Sequence, residues 1–260
     1  MGLIEVEVRD AVATVRLNVP ESMNALGVPM GREFDAAMAD LWDNGDIRAL
    51  IITGTGRAFS AGGDVQAFYD NRENPTGVMQ ETLEVLHAAV TKIIDAPFPT
   101  IAAINGVVAG AGMGVAMATD LAVAVDTAVF TMAYTGIGVS PDGSSTYFLP
   151  RYVGARRAME LILTNRVLSA TEALEMGLVN EVVAEDDFDD AVQALARKLA
   201  RGPTLAYVHA RKLLRSSFGS TPYDQMDAEA ASIMAASSTR DFTEGVSAFI
   251  EKRRPDFSGA

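Results

Sequence analysis

The chain has 260 residues, 49% of them apolar, 21% charged and none cysteine. That is enough apolar material to close a sizeable core, and it excludes a disordered chain, disulfides, thiolate metal sites and a Cys nucleophile. Its 21 basic and 34 acidic residues leave a net charge of −13, which argues against nucleic acid or an anionic membrane as partner, because both need clustered Lys and Arg. The start, Met1-Gly2-Leu3-Ile4-Glu5-Val6, shows no basic and then apolar leader, and Val6 fails the myristoylation pattern. A cytoplasmic protein is expected.

Residues 3–9 and 11–18 read as two short strands around a turn at Arg9-Asp10; in the second, Ala11, Ala13, Val15 and Leu17 alternate with Val12, Thr14, Arg16 and Asn18. Residues 28–43 read as a helix with Phe34, Met38 and Leu41 on one face. A buried strand follows over 48–53. A long helix is predicted over 77–95, closed by Asp95-Ala96-Pro97-Phe98-Pro99. Then come a strand over 100–104, a Gly-rich turn, a helix over 111–119 and strands over 121–125 and 129–132. Residues 141–177 read as broken helix, with Ser169 to Glu172 a capping box and Gly177 a stop. A last strand is placed over 178–183, and the chain is helical from Phe188 to about Arg254. The run 101–125 is long and apolar enough to span a bilayer, but its Gly and Ala content, Asn105 and Asp120 favour buried strands and helix. Strands that come in pairs before each helix predict an α/β core.

Two loops carry the chemistry. The first is Arg57-Ala58-Phe59-Ser60-Ala61-Gly62-Gly63-Asp64-Val65, and the second runs from Asn105-Gly106 through Gly110-Ala111-Gly112 to Gly114. Each lies between a strand and a helix, where glycines allow close backbone approach and helix-terminal amides favour an anion. Neither matches a dinucleotide or phosphate-loop pattern. Taken singly, each could equally be tight strand–helix packing. The histidines, His87 and His209, read as helix-surface or interface positions, and no metal-ligand set is visible.

Together with Asn18-Val19-Pro20-Glu21-Ser22-Met23-Asn24-Ala25-Leu26, the segment 102–106, Asp120-Leu121-Ala122-Val123-Ala124 and the ending Phe249 to Phe257, these loops resemble the enoyl-CoA hydratase/isomerase (crotonase) family, in family order over nearly the whole chain. The resemblance implies an α/β spiral of ββα units over 1–190, with a CoA-thioester site, and a C-terminal helical trimerisation section over 191–260. It implies a homotrimer or dimer of trimers acting on an acyl-CoA thioester, with no separate cofactor because CoA belongs to the substrate. It places an oxyanion hole on the backbone N–H groups of Gly63 and Ala111. Substrate contacts fall around Ser22, Met23, Ala61, Asp64 and Val65. Glu21 stands where the family often has a basic residue, which leaves Lys252 and Arg253 as candidates for the CoA phosphates.

The two glutamates by which family hydratases handle water fall at Gly114 and Tyr134, so both are missing. Asp142, in Pro141-Asp142-Gly143-Ser144-Ser145-Thr146-Tyr147-Phe148-Leu149-Pro150-Arg151, stands where dienoyl-CoA isomerases, aryl-CoA dehalogenases and the ring-epoxide isomerases of phenylacetate breakdown hold a catalytic Asp. The last of these is the most similar. The dehalogenase reading lacks its Trp at 134 and a partner His near the first loop. Asp142 is therefore expected to act as proton shuttle or, alternatively, to cap the following helix. Tyr134 either contacts substrate or only packs, and Asp64 either contacts ligand or is structural. The expected activity is acyl-CoA isomerisation; an atypical hydratase and a non-catalytic acyl-CoA binder remain alternatives.

Overall fold

The computed structural model describes residues 2–260. Strands β1 (Ile4–Arg9) and β2 (Val12–Leu17) form an antiparallel hairpin with Arg9 opposite Val12. Both turn residues, Asp10 and Ala11, have positive φ (52° and 62°), as the favoured two-residue hairpin turn demands. Then follow α1 (Val28–Trp42), β3 (Ala49–Gly54), β4 (Ala58–Ser60), α2 (Val65–Asp70), α3 (Pro75–Ile94), β5 (Thr100–Ile104), β6 (Val107–Ala109) and α4 (Ala111–Ala118). Next are β7 (Leu121–Val125), β8 (Val129–Thr131), α5 (Ser145–Val153), α6 (Ala155–Thr164), β9 (Leu168–Ser169), α7 (Ala170–Met176) and β10 (Glu181–Val183). Helices α8 (Phe188–Ala200), α9 (Thr204–Ser217), α10 (Pro222–Ser237) and α11 (Arg240–Glu251) complete the chain.

The strands divide between two sheets, a larger one in the order β1-β2-β3-β5-β7-β10 and a smaller one in the order β4-β6-β8-β9. From β2 to β10 the large sheet is parallel. The small sheet is parallel from β4 to β8, and β9 runs antiparallel to β8. The chain thus repeats one move: a strand into the large sheet, a short strand into the small sheet, then helix. The pairs β3/β4, β5/β6 and β7/β8 are successive turns of this α/β spiral.

Two corrections follow for the sequence reading. It places residues 57–65 in a loop and 105–110 in a Gly-rich turn, whereas each stretch contains a three-residue strand, β4 or β6. These strands are nearly all buried and too short to show an alternation. It also ends the core at residue 190, inside α8. The buried face of α8, Phe188, Val192, Ala196 and Ala200, belongs to the same core as Ile51, Ile52, Ile101 and Val123. The helical section that stands outside that core therefore starts at α9.

Apolar burial supplies most of the cohesion, about 1.5–3 kcal/mol per large side chain taken out of water. One buried ionic cluster ties α9 to the sheet. Asp120 accepts from Arg211 (2.9 Å), from Arg215 (3.4 Å) and from the Thr100 amide (2.9 Å). The run 101–125 resolves into β5, β6, α4 and β7, and no helix among the described residues is long and apolar enough to cross a membrane. The capping box of α7 is formed: Ser169 Oγ accepts from the Glu172 amide, and Glu172 accepts from the Ser169 amide.

Candidate active site

Strands β4 and β6 are parallel neighbours, with Ser60 opposite Val108. The loops that leave their C-terminal ends must therefore emerge side by side. Gly62 has φ 98°, and a Cβ there would lie 2.9 Å from the Ala109 carbonyl oxygen and 3.3 Å from the Ala111 nitrogen. Only glycine supplies both that conformation and that clearance. Beyond this contact, Gly63 and Ala111 line one cavity of about 350 Å³. Ala111 is the first residue of α4, where backbone amides have no intrahelical acceptor. Among the described residues neither the Gly63 nor the Ala111 amide has an acceptor, so both are available to a ligand oxygen.

The wall of the cavity is apolar. Val65 and Phe68 of α2, Met79 and Leu83 of α3, and Ile137 and Val139 after β8 contribute to it. Four polar side chains, Thr82, Tyr134, Ser140 and Asp142, also belong to its lining. Tyr134 opens a single 3-10 turn (Tyr134–Ile137) between Ala133 and Gly138, both in the left-handed region. The chain then doubles back through Gly143 (φ 57°) and Ser144 (φ 62°). Between the two residues the chain turns at Gly138 (φ 78°), and the Tyr134 hydroxyl donates to Asp142 Oδ1 at 2.5 Å.

Asp142 does not use its carboxylate to cap α5. Ser144 occupies the cap position, and no side chain caps that end. Among the described residues the one side-chain donor to the Asp142 carboxylate is Tyr134. Tyr134 itself is only 8% exposed. Burial pushes its phenol well above the ordinary tyrosine range, and the charge and hydrogen bond of Asp142 push it further. The phenol keeps its proton at every working pH and stays a donor.

Gly114 explains why no glutamate stands beside this pair. A Cβ at Gly114 would lie 2.7 Å from the Gly143 carbonyl oxygen. Helix α4 and the Asp142 loop pack backbone against backbone, and there is no room for a side chain between them.

The remaining predicted residues separate. Ala61 and Val65 line the cavity. Asp64 does not line it, and its carboxylate accepts from the Ala67 amide (3.0 Å) as the N-cap of α2. Ser22 and Met23 lie against the first loop, since the Ala61 amide donates to Met23 O (2.9 Å), but they are not part of the cavity wall. Lys252 is exposed at the end of α11 and lines none of this cavity. Its neighbour Arg253 is bound to Glu244 (2.5 Å) and Glu251 (2.6 Å) of α11.

Two residues gain a place that their sequence positions do not announce. Asn24 is fully buried, and it fixes the first loop by donating to the carbonyls of Thr55 (3.0 Å) and Ala58 (2.8 Å). His87 is indeed on the surface of α3, yet its Nε2 accepts from the Gly143 amide at 3.4 Å. A histidine therefore stands beside the Asp142 loop, although none is near the first loop in sequence. A different hollow, of about 380 Å³ between α5 and α9, also contains charged groups. There Asp120 is already paired with Arg211 and Arg215, so those charges are structural.

The family model described as enoyl-CoA hydratase/isomerase matches residues 7–260. A probable enoyl-CoA hydratase of Rhodobacter capsulatus is 39% identical over 98% of both chains. The 1,2-epoxyphenylacetyl-CoA isomerase of Escherichia coli is 35% identical, covering 100% of this chain and 99% of its own. A solved structure of a putative enoyl-CoA hydratase/isomerase from Mycobacterium abscessus superposes with a TM-score of 0.94 at 32% identity, over 99% of this chain and 100% of that one.

Proposed function

The chain belongs to the enoyl-CoA hydratase/isomerase family, and we propose that within it the protein is an acyl-CoA isomerase that shifts a double bond, or opens a ring epoxide, with Asp142 as proton shuttle. The observation that carries this reading is one cavity that holds two free backbone amides and a single carboxylate oriented by a buried tyrosine. CoA enters as part of the substrate, and the reaction needs no further cofactor.

The thioester oxygen sits between the Gly63 and Ala111 amides. Asp142 removes a proton from the carbon next to the thioester, and the electron pair moves onto that oxygen. Each amide donor then stabilises the developing charge by about 3 kcal/mol. Asp142 returns a proton two carbons further along, the electrons flow back, and the double bond has moved with no change in mass. Concerted addition of water calls for two agents placed around it. Gly114 and Tyr134 supply no carboxylate pair for that chemistry.

The reading is tested with a panel of trans-3-enoyl-, 3,5-dienoyl-, epoxyphenylacetyl- and haloaryl-CoA thioesters, together with crotonyl-CoA, followed by mass and NMR. A product of unchanged mass with a relocated double bond or opened epoxide is expected. Water addition to crotonyl-CoA as the fastest reaction would favour the hydratase alternative. Tight binding without turnover anywhere would favour a non-catalytic binder.

Tyr134→Phe tests the orienting bond. A hydrogen bond to a charged group contributes about 1.5–3 kcal/mol, so turnover is expected to fall about 10- to 100-fold with thioester binding retained. A wild-type rate in the Phe variant would remove Tyr134 from the mechanism.

The assembly is proposed to be a homotrimer or a pair of trimers. Large apolar side chains are most exposed on the C-terminal helices, with Leu214 70%, Ile233 69%, Phe249 82% and Ile250 73% exposed. Such a surface favours burial against further copies. Analytical ultracentrifugation is expected to give three or six chains; a monomer at micromolar concentration contradicts the proposal.

A further inference from the structure

Asp142 borders two cavities. One is the acyl cavity already described. The other, of about 270 Å³, is lined by His87, Thr91, Asp142, Ser144 and Thr146 together with Val90 and Gly143. It is a different kind of space. Its lining residues carry three hydroxyls, a carboxylate and an imidazole, and a water needs two to four polar partners to be held. His87 also borders a third, open hollow on the outer side of α3, with Gln80 and Glu84. The imidazole is thus shared between the chamber beside Asp142 and the solvent-facing surface of α3. The Gly143 amide, donating to Nε2 at 3.4 Å, holds that edge of the ring toward the loop.

We infer that the polar chamber is a solvent port for the shuttle, and that His87 relays protons between Asp142 and bulk water through it. The inference rests on the isomerase reading of Asp142. A carboxylate facing only an apolar acyl cavity would hold the proton it has removed and return that same proton. Here one side of Asp142 meets the substrate, and another meets a chamber that can hold water. After taking the substrate proton, neutral Asp142 passes it to a chamber water as that water passes one of its own to His87 Nε2, which gives up its long 3.4 Å contact with the Gly143 amide as it takes the proton. The imidazolium releases a proton to bulk water, and the reverse sequence recharges Asp142. No electrons are exchanged, and each group returns to its starting state. Imidazole suits the task because it gains and loses a proton near neutral pH.

The test is the source of the proton in the product. With trans-3-hexenoyl-CoA in D2O, the proton delivered to C4 of the 2-enoyl product is either the one removed from C2 or a deuteron from solvent. Wild type is expected to place deuterium at C4 in most product molecules. His87→Gln keeps an oxygen to accept from the Gly143 amide but cannot carry a proton. It is expected to lose most of that deuterium, with the C2 protium reappearing at C4. The measurement is made within each turnover, so a general fall in rate does not mimic it, and an unchanged melting temperature shows that the variant is folded. The same deuterium content in wild type and His87→Gln overturns the relay and leaves the isomerase reading standing. Absence of both 2-enoyl product and C2 exchange in wild type overturns the isomerase reading and the relay with it.

Discussion

Asp142→Asn is expected to lower isomerase turnover about 10²- to 10⁴-fold, the usual contribution of a positioned general base. The substitution is close to isosteric. Its amide oxygen can still accept from the Tyr134 hydroxyl, which reaches Asp142 Oδ1 at 2.5 Å in the native protein, so the loop keeps its shape. What is lost is the ability to take a proton. The Gly63 and Ala111 amides are backbone groups and are untouched, so thioester affinity, measured by calorimetry with a non-reacting acyl-CoA, should persist. Burial is the largest cause that raises the Tyr134 phenol and does not depend on the Asp142 charge, so in the variant the phenol still stays protonated and cannot stand in as a base. An Asn variant with undiminished turnover would assign the chemistry to another group.

The second large effect is expected at a residue with no side chain. Gly114→Ala puts a methyl group 2.7 Å from the Gly143 carbonyl oxygen. Both neighbours are backbone, so the strain cannot be relieved by turning a flexible side chain. Overpacking of this kind costs about 1–3 kcal/mol, visible in denaturant unfolding. The functional loss should be larger than the stability loss suggests. Relief comes by moving the loop that carries Asp142, and a misplacement of about 1 Å can cost on the order of 10²-fold in rate. Gly114→Glu, which restores the residue type of family hydratases, should for the same reason give no gain in hydration. If the Ala variant turns over at the native rate, loop placement is not held by this contact.

How much of this was readable in the sequence depends on length and distance. Strand β5 falls on residues 100–104 and β7 on 121–125, as expected, because each is a short, almost wholly apolar run between clear stops. Strands β4 and β6 hide inside the glycine loops, since three buried residues carry no period. The pairing of those two strands is what brings the loops together, and no local pattern encodes a partner about 50 positions away. Asp142 and Tyr134 are close enough in the chain to be singled out, but whether the carboxylate would cap a helix or meet the phenol depended on the turns at Gly138, Gly143 and Ser144. His87 reads as a surface position of an amphipathic helix, and it is one. Its neighbour Gly143 comes from a turn of the spiral 56 residues later.

The repeated move of strand, short strand and helix also divides the labour of the site. The unpartnered Gly63 and Ala111 amides follow β4 and β6. The carboxylate and its tyrosine follow β8, the short strand of the next turn. Neighbouring turns are joined by strand pairing, whose backbone hydrogen bonds are nearly indifferent to side-chain identity. A lineage could therefore trade the segment after β8 for one bearing other groups and inherit the thioester grip unaltered. Grafting that segment from a relative is a way to transplant one reaction at a time, provided the donor also carries a glycine at the position of Gly114.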